Sequence, residues 1–488
     1  MAGALMKNAC FWIAALLIMT GVRIIVAAEL PLAPDEAYYW IWSKALAPSY
    51  YDHPPMVALW ISAGTSLAGD TQLGVRLLAP IGVAIASFAI AGAASLLFPG
   101  KDAGPWAAAF MNATLLFAAG SVLMTPDTPL LVFWCLAVWA LAKVHVTADG
   151  RWWLVFGAIT GCAILSKYTA VFLGLGALVW LAASPTERRW FRDWRLWAGG
   201  VIALLFSGPV ILWNATHDWV SFAKQGGRTA DSEASFSLRF LGELVGGQIG
   251  LVTPIIFMLC VLGMVVALRR WRVVDASAER LLVSMTVPAA AIFLWQATGS
   301  RVQGNWPAIL YPAACIAAAA LLQQRWLAWR RPAAGLGLAA TLMVMLQAVA
   351  APLPLPRSSD PTLARLGGWN EFVAKLEAIR EERGLAFVAA EEYGLASEMR
   401  FYSPPVTSIV AVGDRWSLFD LPATPSSGQG LLVRSIRRGE TPPLWPGAQP
   451  VGEVSRVRGG IEAERYRLYV VNLEVAAPPR VLLPKDTT

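Results

Sequence analysis

Two short polar stretches follow the first apolar run of the chain, and both carry residue types that can perform acid–base chemistry. Residues 34–55 read PDEAYYWIWSKALAPSYYDHPP. Asp35 and Glu36 are adjacent carboxylates, and Asp52 is followed by His53 and two prolines. A carboxylate held beside a reacting hydroxyl can act as a general base. The structural alternative is that Asp35 only caps a helix, and that Asp52 and His53 are solvated turn residues.

The composition indicates which elements must position these residues. Of the 488 residues, 57% are hydrophobic and only 15% are charged, and the mean hydropathy is +0.54. A soluble protein of this size is far more polar, so the sequence predicts an integral membrane protein. The five cysteines lie in apolar runs without a CxxC pair. They are therefore interpreted as small core residues, and neither a disulfide framework nor a zinc site is expected.

Apolar runs long enough to cross about 30 Å of hydrocarbon predict roughly eleven transmembrane helices. The runs lie near residues 9–28, 74–98, 105–122, 129–147, 152–166, 169–183, 196–213, 246–268, 281–298, 305–322 and 333–351. The fifth and sixth runs are short and could form one interrupted segment. The first run has no cleavage site followed by a polar mature chain, which indicates an uncleaved signal anchor.

Basic residues lie in every second connection between the predicted helices. They lie at Lys7, Lys101, Lys143, Arg151, 187–195, 269–272, Arg325, Arg330 and Arg331. This pattern follows the positive-inside rule and predicts a cytoplasmic N-terminus. The net charge of +7 is thus explained by topology, and no nucleic-acid partner is expected. The loop 29–73, with its surface helices, is predicted to be periplasmic.

Later polar motifs fall on the same predicted periplasmic face. They are MTPDTP with Asp127, SKYT with Lys167, residues 214–228, and GSRVQGNWP at 299–307 with Asn305. Acids and cations at a membrane cost free energy unless they pair or contact water, so such residues are functional candidates. Together these motifs predict a polar cavity on the periplasmic face.

The composition changes after residue 351, where a proline-rich link leads into a segment of ordinary polarity. Hydrophobic periodicity there predicts helices at 367–384 and 392–402. It predicts strands at 385–391, 406–412, 430–436 and 465–473. The chain is therefore divided into a transmembrane domain, 1–356, and a small periplasmic α/β domain, 357–488. No GxGxxG, P-loop or HExxH motif occurs, so nucleotide-driven and zinc-protease chemistry have no signature in the sequence.

Five ordered motifs resemble the bacterial branch of glycosyltransferase family 39. They are DEAYYWIWS at 35–43, YYDHPP at 50–55, TPDTPL at 125–130, LSKYTAV at 165–171 and GNWPA at 304–308. That family includes the dolichyl-phosphate-mannose protein mannosyltransferases. It resembles the aminoarabinose and galacturonic acid transferases that modify lipopolysaccharide. The resemblance implies a polytopic helical C-type (GT-C) fold and an inverting transfer of a sugar from a polyprenyl monophosphate carrier to an acceptor outside the cytoplasm.

The resemblance also implies roles for residues of the first loop. By matching motif positions, Asp35 is the catalytic carboxylate and Glu36 shapes its charge. Asp52 and His53 match the acid and cation before the paired prolines of the aminoarabinose transferases, where a lysine replaces the histidine. A neutral histidine binds phosphate less strongly than lysine, so His53 must be protonated or the phosphate charge must be met elsewhere. Asp52 is also the candidate ligand for a divalent metal ion, Mg²⁺ or Mn²⁺, although no dense ligand cluster supports one.

Physical chemistry adds further candidates for binding the donor phosphate. As the glycosyl bond breaks, negative charge builds on the leaving phosphate, and fixed cations stabilise it. Lys167, near a predicted helix N-terminus, is the leading candidate, followed by Arg228 and Arg301 in outer loops. Each of these cations could instead extend to lipid head groups. Arg76 and Asp127 are expected to pair with or orient other groups rather than react.

Aromatic residues of the first loop have two alternative roles. Tyr38 and Tyr39, with the neighbouring tryptophans, could stack on a sugar or anchor a helix at the membrane surface. Asn305, in the GNWPA motif, is expected to support substrate binding.

The resemblance favours lipopolysaccharide core or lipid A as the acceptor, with Asp35 as general base. The alternatives are a protein O-glycosyltransferase, a transporter or flippase of lipid-linked sugars, and a noncatalytic scaffold. The polar motifs favour one face and no internal repeat is evident, which argues against a transporter. The identity of the sugar is not encoded in these motifs.

Overall fold

A computed structural model describes residues 2–230, 237–439, 441–475 and 478–484, and the side chains at 2–9, 228–230 and 324 lie outside this description. The chain forms two compact units. The first unit consists of Met1–Ile24, Asp52–Val57 and Leu78–Met343. The second consists of Ile25–Tyr51, Ala58–Leu77 and Val344–Thr488.

Helices form most of the described chain. In chain order, α1 to α21 are Ala2–Glu29, Pro34–Lys44, Met56–Ala68, Gln72–Arg76, Leu78–Leu97, Ala103–Asn112, Leu115–Gly120, Asp127–Thr147, Arg151–Ile164, Val171–Ala183, Trp194–Thr216, Val220–Ala230, Leu238–Val252, Pro254–Arg269, Ser277–Gln296, Tyr311–Ala320, Gln324–Leu327, Arg330–Ala350, Pro361–Leu366, Trp369–Glu382 and Tyr393–Tyr402. Short 3₁₀ helices lie at Tyr168–Ala170, Arg188–Arg192, Trp306–Leu310, Asp414–Leu418 and Ile436–Arg438.

Six helical segments of the described chain are long and apolar enough to cross a membrane, and a bent pair raises the number to seven. The six are Cys10–Glu29, Gln72–Leu97, Asp127–Thr147, Trp194–Thr216, Ser277–Gln296 and Arg325–Ala350. Shorter apolar helices are Met56–Ala68, Arg151–Ile164, Tyr168–Ala183 and Trp306–Ala320. The last three coincide with predicted spans, but each of these helices is shorter than the six segments above. The total of roughly eleven spans stays a prediction.

Two of the predicted spans are not continuous helices. The run at 246–268 is broken between α13 and α14, whose axes differ by 108°. Thr253 at the break has φ +66°, and Pro254 follows it at the first position of α14. Proline lacks an amide N–H and disfavours a helical conformation in the residue before it, so it begins a new helix here. The run at 105–122 divides into α6 and α7, where the Thr114 side chain caps α7 by accepting from the Phe117 N–H.

Small residues allow close packing of helices in the first unit. Gly157 on α9 faces Gly199 on α11, and a Cβ atom at Gly157 would collide with the Gly199 backbone. Such contacts are typical of helix pairs in membranes, where dispersion contacts and close backbone approach replace the hydrophobic effect as the driving force. Trp134, Trp153 and Trp180 are fully buried among these helices.

The second unit contains a six-stranded sheet. Its strands, β1 to β6, are Phe387–Ala390, Ser408–Val412, Gln429–Ser435, Gln449–Arg458, Ile461–Asn472 and Arg480–Leu482. The order is β4-β5-β3-β1-β2-β6, in which β1 is parallel to β2 and β3, and the other pairs are antiparallel. The register places Phe387 beside Ser408 on one side and Gly430 on the other.

The predicted helices and strands of the C-terminal segment are confirmed as α20, α21, β1, β2, β3 and β5. The prediction missed α19, β4 and β6. Strand β4 lies at the edge of the sheet, is exposed or half-buried except at Arg456, and has an irregularity between Pro450 and Gly452, so it lacks an apolar alternation. Strand β6 has only three residues.

Helix α2, which carries the DEAYYWIWS motif, belongs to the second unit. Its residues Glu36 to Ser43 are all buried. Tyr38 and Trp40 are 1% and 0% exposed, so their rings contact protein rather than lipid or water. Helix α2 packs on α21 of the same unit through Trp40 and Phe401, whose rings are 5.0 Å apart and perpendicular.

Candidate active site

Asp35 lies in the first turn of α2, where Pro34 occupies the first helical position and Ala33 is the N-cap. The Tyr393 hydroxyl donates a hydrogen bond of 2.8 Å to Asp35 Oδ1. Arg365 Nη1 lies 3.9 Å from Asp35 Oδ2. The side chain of Asp35 is 43% exposed. A carboxylate that is both oriented and accessible has the properties that a general base requires.

Glu36, the adjacent carboxylate, has a different environment. Arg76 Nε and Nη2 donate to its two oxygens at 2.8 and 2.6 Å, and both side chains are fully buried. The Ala33 N–H also donates to Glu36 Oε2 at 3.0 Å. Arg76 uses its remaining donors on backbone carbonyls between residues 27 and 31. This bidentate pair satisfies the buried charges and fixes the chain that enters α2.

The two tyrosines after Glu36 lie in an aromatic cluster. The Tyr38 ring is 4.6 Å from the Tyr393 ring and 5.6 Å from the Trp416 ring. Tyr39 packs against Tyr38 at 6.0 Å and is 7% exposed. The Arg415 guanidinium lies 4.0 Å from the Tyr393 ring centroid and 5.3 Å from that of Tyr38. Cation–π attraction of this kind stabilises the cluster.

A second set of predicted residues meets in the first unit. Lys167 Nζ donates to Asp127 Oδ1 and Oδ2 at 2.8 and 3.0 Å. Asn305 Nδ2 donates to Asp127 Oδ2 at 2.6 Å. Lys167 also lies 5.9 Å from the Trp306 ring centroid. The TPDTPL, LSKYTAV and GNWPA motifs, which are distant in sequence, therefore form one polar cluster.

The electrostatics of this cluster limit what Lys167 can do alone. Its side chain is 9% exposed and that of Asp127 is 13% exposed, so the two charges largely neutralise each other. Lysine has three N–H donors, and the contacts to Asp127 leave capacity for a further acceptor. Asp127 thus pairs with Lys167 and holds its ammonium in place.

The YYDHPP turn lies beside the turn that carries Lys167. The Met56 N–H donates to the Leu165 carbonyl at 2.9 Å. Gln225 Nε2 donates to the Asp52 carbonyl at 2.6 Å. Asp52 is 8% exposed. Asp52 and His53 belong to the first unit, whereas Asp35, Glu36 and Arg76 belong to the second.

Arg301 and Arg228 are the two outer-loop arginines predicted to bind phosphate. Arg301 is 76% exposed in its side chain and pairs with Glu243 at 3.2 Å. An exposed ion pair of this type is strongly screened by water. Arg228 lies in α12, and its side chain is outside the described residues. The phosphate-binding role of both stays a prediction.

The candidate metal ligand, Asp52, does not belong to a cluster of ligands. Within the ranges that the structure describes, no group of three or more His, Cys, Asp or Glu side chains could hold a metal ion.

The sequence did not predict the contribution of the C-terminal segment to the surroundings of Asp35. Tyr393 and Asp35 are separated by 358 positions. Gly394 is the one local signal, because a Cβ atom there would lie 2.7 Å from the Pro34 Cβ. A glycine inside a predicted helix indicates close approach but does not identify the partner.

Comparisons with known proteins agree on one class. Residues 52–213 match a family model described as dolichyl-phosphate-mannose-protein mannosyltransferase. The chain is 28% identical over 370 residues to the lipid A galacturonosyltransferase RgtD of Rhizobium johnstonii, covering 76% of this chain and 77% of RgtD. ArnT from Cupriavidus metallidurans matches with a TM-score of 0.61 in its apo state and 0.60 when bound to undecaprenyl phosphate. Both ArnT structures are 15% identical and cover 97% of this chain and 100% and 99% of ArnT, respectively.

The helical region and the C-terminal sheet domain have the C-type fold of a membrane glycosyltransferase, as in ArnT. The chain is a glycosyltransferase, and the predicted resemblance to the bacterial enzymes of family 39 is confirmed. In the part of the chain that the structure describes, six or seven helical segments could cross a membrane, and the chain is a multi-pass membrane protein.

Proposed function

We propose that this chain transfers a sugar from a polyprenyl-phosphate donor to lipid A at the periplasmic face of the inner membrane. The observation that carries the proposal is the similarity to RgtD, 28% identical over three quarters of the chain and named for galacturonosyl transfer to lipid A. The fold shared with ArnT in its undecaprenyl-phosphate complex supports a donor of that class. Galacturonic acid is accordingly the first sugar to test.

Asp35 is assigned as the general base of an inverting displacement. The bond between the anomeric carbon and the donor phosphate breaks, and a bond to an acceptor oxygen forms on the opposite face of the sugar. If the acceptor is a hydroxyl, its proton passes to Asp35, and polyprenyl phosphate leaves as the anion. If the acceptor is a lipid A phosphate, it is already ionised and Asp35 orients it. The exposed and oriented carboxylate of Asp35 supports this role.

Lys167 is assigned to the donor phosphate, with Asp127 and Asn305 holding it. Charge that develops on the leaving group is best stabilised by a cation already in place, because no reorganisation is then needed. The bonds that hold the Lys167 ammonium support this assignment. His53, Arg228 and Arg301 are assigned as further phosphate ligands. Tyr38, Tyr39 and Asp52 are assigned supporting roles, Glu36 modulates the charge near Asp35, and Arg76 holds Glu36.

The membrane arrangement forms part of the proposal. The chain crosses the membrane roughly eleven times, with the shorter apolar helices also spanning. The N-terminus is cytoplasmic, residues 1–356 form the catalytic transmembrane domain, and residues 357–488 form a periplasmic domain. The alternation of basic connections supports this orientation.

A protein acceptor is the second candidate. The family model that matches residues 52–213 is described as a protein mannosyltransferase. The lipid acceptor is preferred because the match to RgtD covers more of the chain.

Mass spectrometry of extracted lipid A tests the proposal. Cells carrying the intact protein are compared with cells carrying no copy, Asp35→Asn, or Asp149→Asn as a control at a surface ion pair with Arg151. The intact protein and Asp149→Asn are expected to add a uronic acid mass that the other cells lack. A modified glycoprotein with unmodified lipid A would favour the second candidate. Equal lipid A and glycoprotein from all cells would contradict both acceptors.

A further inference from the structure

Helix α21 of the C-terminal segment is fixed at both ends to the chain around α2, within the second unit. Its first residue, Tyr393, donates a hydrogen bond to Asp35 Oδ1 at 2.8 Å. Its last residue, Tyr402, accepts one from the Leu32 N–H at 2.8 Å. The two tyrosines therefore have different partners: Tyr393 contacts the candidate base, whereas Tyr402 contacts the backbone before α2 and the Gln72 side chain.

The distance between the two helices depends on Gly394. A Cβ atom at this position would lie 2.7 Å from the Pro34 Cβ, which is closer than Cβ atoms approach in real structures. Any side chain at residue 394 would push the N-terminus of α21 away from Pro34. The absence of a side chain is what brings the Tyr393 hydroxyl within hydrogen-bonding distance of Asp35.

The Tyr393 ring is itself held in place. The Arg415 guanidinium lies 4.0 Å from its centroid, and the Tyr38 ring lies 4.6 Å away. Arg415 also lies 5.5 Å from the Tyr51 ring centroid. A ring that is fixed by a cation–π contact and by aromatic packing fixes the direction of its hydroxyl group. Tyr393 thus presents a donor of defined geometry to Asp35.

We propose that Tyr393 is a positioning residue for Asp35. A residue of the C-terminal segment thus orients the general base of the transferase. This inference rests on the proposed function. The Tyr393 hydroxyl donates to Oδ1 and orients the plane of the carboxylate, so that Oδ2, which lies 3.9 Å from Arg365 Nη1, accepts the proton of the acceptor.

The test uses the purified full-length protein in lipid nanodiscs, with polyprenyl-phosphate galacturonic acid as donor and lipid A as acceptor. Initial rates are measured over a range of concentrations of both substrates for the intact protein, Asp35→Asn, Tyr393→Phe and Tyr402→Phe. Tyr393→Phe keeps the ring and removes only the hydroxyl that contacts Asp35. Tyr402→Phe makes the same change at the other end of α21. Gly394→Ala, with its thermal unfolding temperature measured in parallel, tests the helix approach separately.

Tyr393→Phe is expected to lower kcat by about tenfold to a hundredfold, because small displacements of a catalytic group have effects of this size. Its KM for both substrates is expected to stay unchanged. Tyr402→Phe is expected to keep both the kcat and the KM values of the intact protein. Gly394→Ala, where it remains folded, is expected to resemble Tyr393→Phe.

The outcomes separate this inference from the proposed function. If the intact protein is active, Asp35→Asn is inactive and Tyr393→Phe matches the intact protein, the positioning role is wrong and the function stands. If Tyr393→Phe and Tyr402→Phe lower kcat equally, α21 has only a structural role and the inference is again wrong. If Asp35→Asn is fully active, Asp35 is not the base and the inference falls with it. If the intact protein transfers no sugar to lipid A, the proposed function fails first.

Discussion

The ammonium of Lys167 is held by both carboxylate oxygens of Asp127, at 2.8 and 3.0 Å, although 40 positions separate the two residues. Asn305 donates to the same carboxylate at 2.6 Å. The cation proposed to bind the donor phosphate is therefore fixed before any donor arrives. This arrangement predicts that mutations can separate the effect of Asp127 and Lys167 on folding stability from the effect of Lys167 on sugar transfer.

Replacing Asp127 alone leaves a nearly buried ammonium without its counter-charge. Asp127→Leu is expected to lower the free energy of unfolding by about 3–5 kcal/mol, because breaking one half of a buried pair costs this much. Combining it with Lys167→Met is expected to recover most of that stability and to abolish donor use. Thermal unfolding and a transfer assay on both variants check these expectations. A double variant that still transfers sugar would show that Lys167 is not the phosphate ligand.

The pair between Glu36 and Arg76 is predicted to be structural in its main effect. Both side chains are fully buried, so Glu36→Gln removes the counter-charge of Arg76 in a water-poor environment. The free energy of unfolding is expected to fall by about 3–5 kcal/mol. Arg151→Ala, which removes an exposed pair with Asp149, is the matched control and is expected to leave the unfolding temperature unchanged. Equal effects from the two substitutions would contradict the structural role of the buried pair.

Glu398 on α21 predicts a pH dependence of stability in the second unit. Desolvation raises the pKa of this fully buried carboxyl well above its ordinary value of 4.5; the positive charge of Arg456 opposes the rise and the negative charge of Glu36 adds to it. The folded state therefore holds the proton more tightly than the unfolded state. The contribution to stability is fully present below pH 4.5 and is lost as the pH rises from there through the higher pKa of the folded state.

Glu398→Gln is expected to remove this dependence, because the amide stays neutral at every pH. The variant is expected to unfold at a higher temperature than the intact protein near neutral pH, and the difference is expected to shrink toward pH 4.5. Thermal unfolding followed across pH measures the effect. Glu382→Gln, at an exposed position of α20, is the control. Parallel curves for Glu398→Gln and the intact protein would show that Glu398 does not titrate as described.

Close packing of α9 on α11 is tested by two alanine substitutions. Gly157→Ala places a methyl group against the backbone of Gly199, so the helices must separate. A destabilisation of about 1–3 kcal/mol is expected, as for other overpacked sites. Gly200→Ala points into open space within the same helix pair and is expected to be neutral or to stabilise α11 by up to about 1 kcal/mol. The two unfolding temperatures, measured under identical conditions, would differ little if the helices were not in contact at Gly157.

Local patterns were sufficient to predict the class of the protein and much of its secondary structure. Apolar runs and basic connections depend only on residues near one another, and they predicted a multi-pass membrane protein. Helices α20 and α21 and strands β1, β2, β3 and β5 follow from periodicity in the same way. The same reasoning missed the edge strand β4, where no local pattern exists. It also gave no sign of the break at Pro254, which interrupts an apolar run that appeared continuous.

The sequence by itself determined which residues are candidates for the chemistry: Asp35, Asp127, Lys167 and Asn305 all stand in motifs whose residue types suit it. Only the tertiary structure decided their partners. The ion pair of Glu36 with Arg76 and the bond from Tyr393 to Asp35 join segments 40 and 358 positions apart. Such contacts depend on how helices pack, and packing is governed by the summed shape of many side chains rather than by any short stretch of sequence.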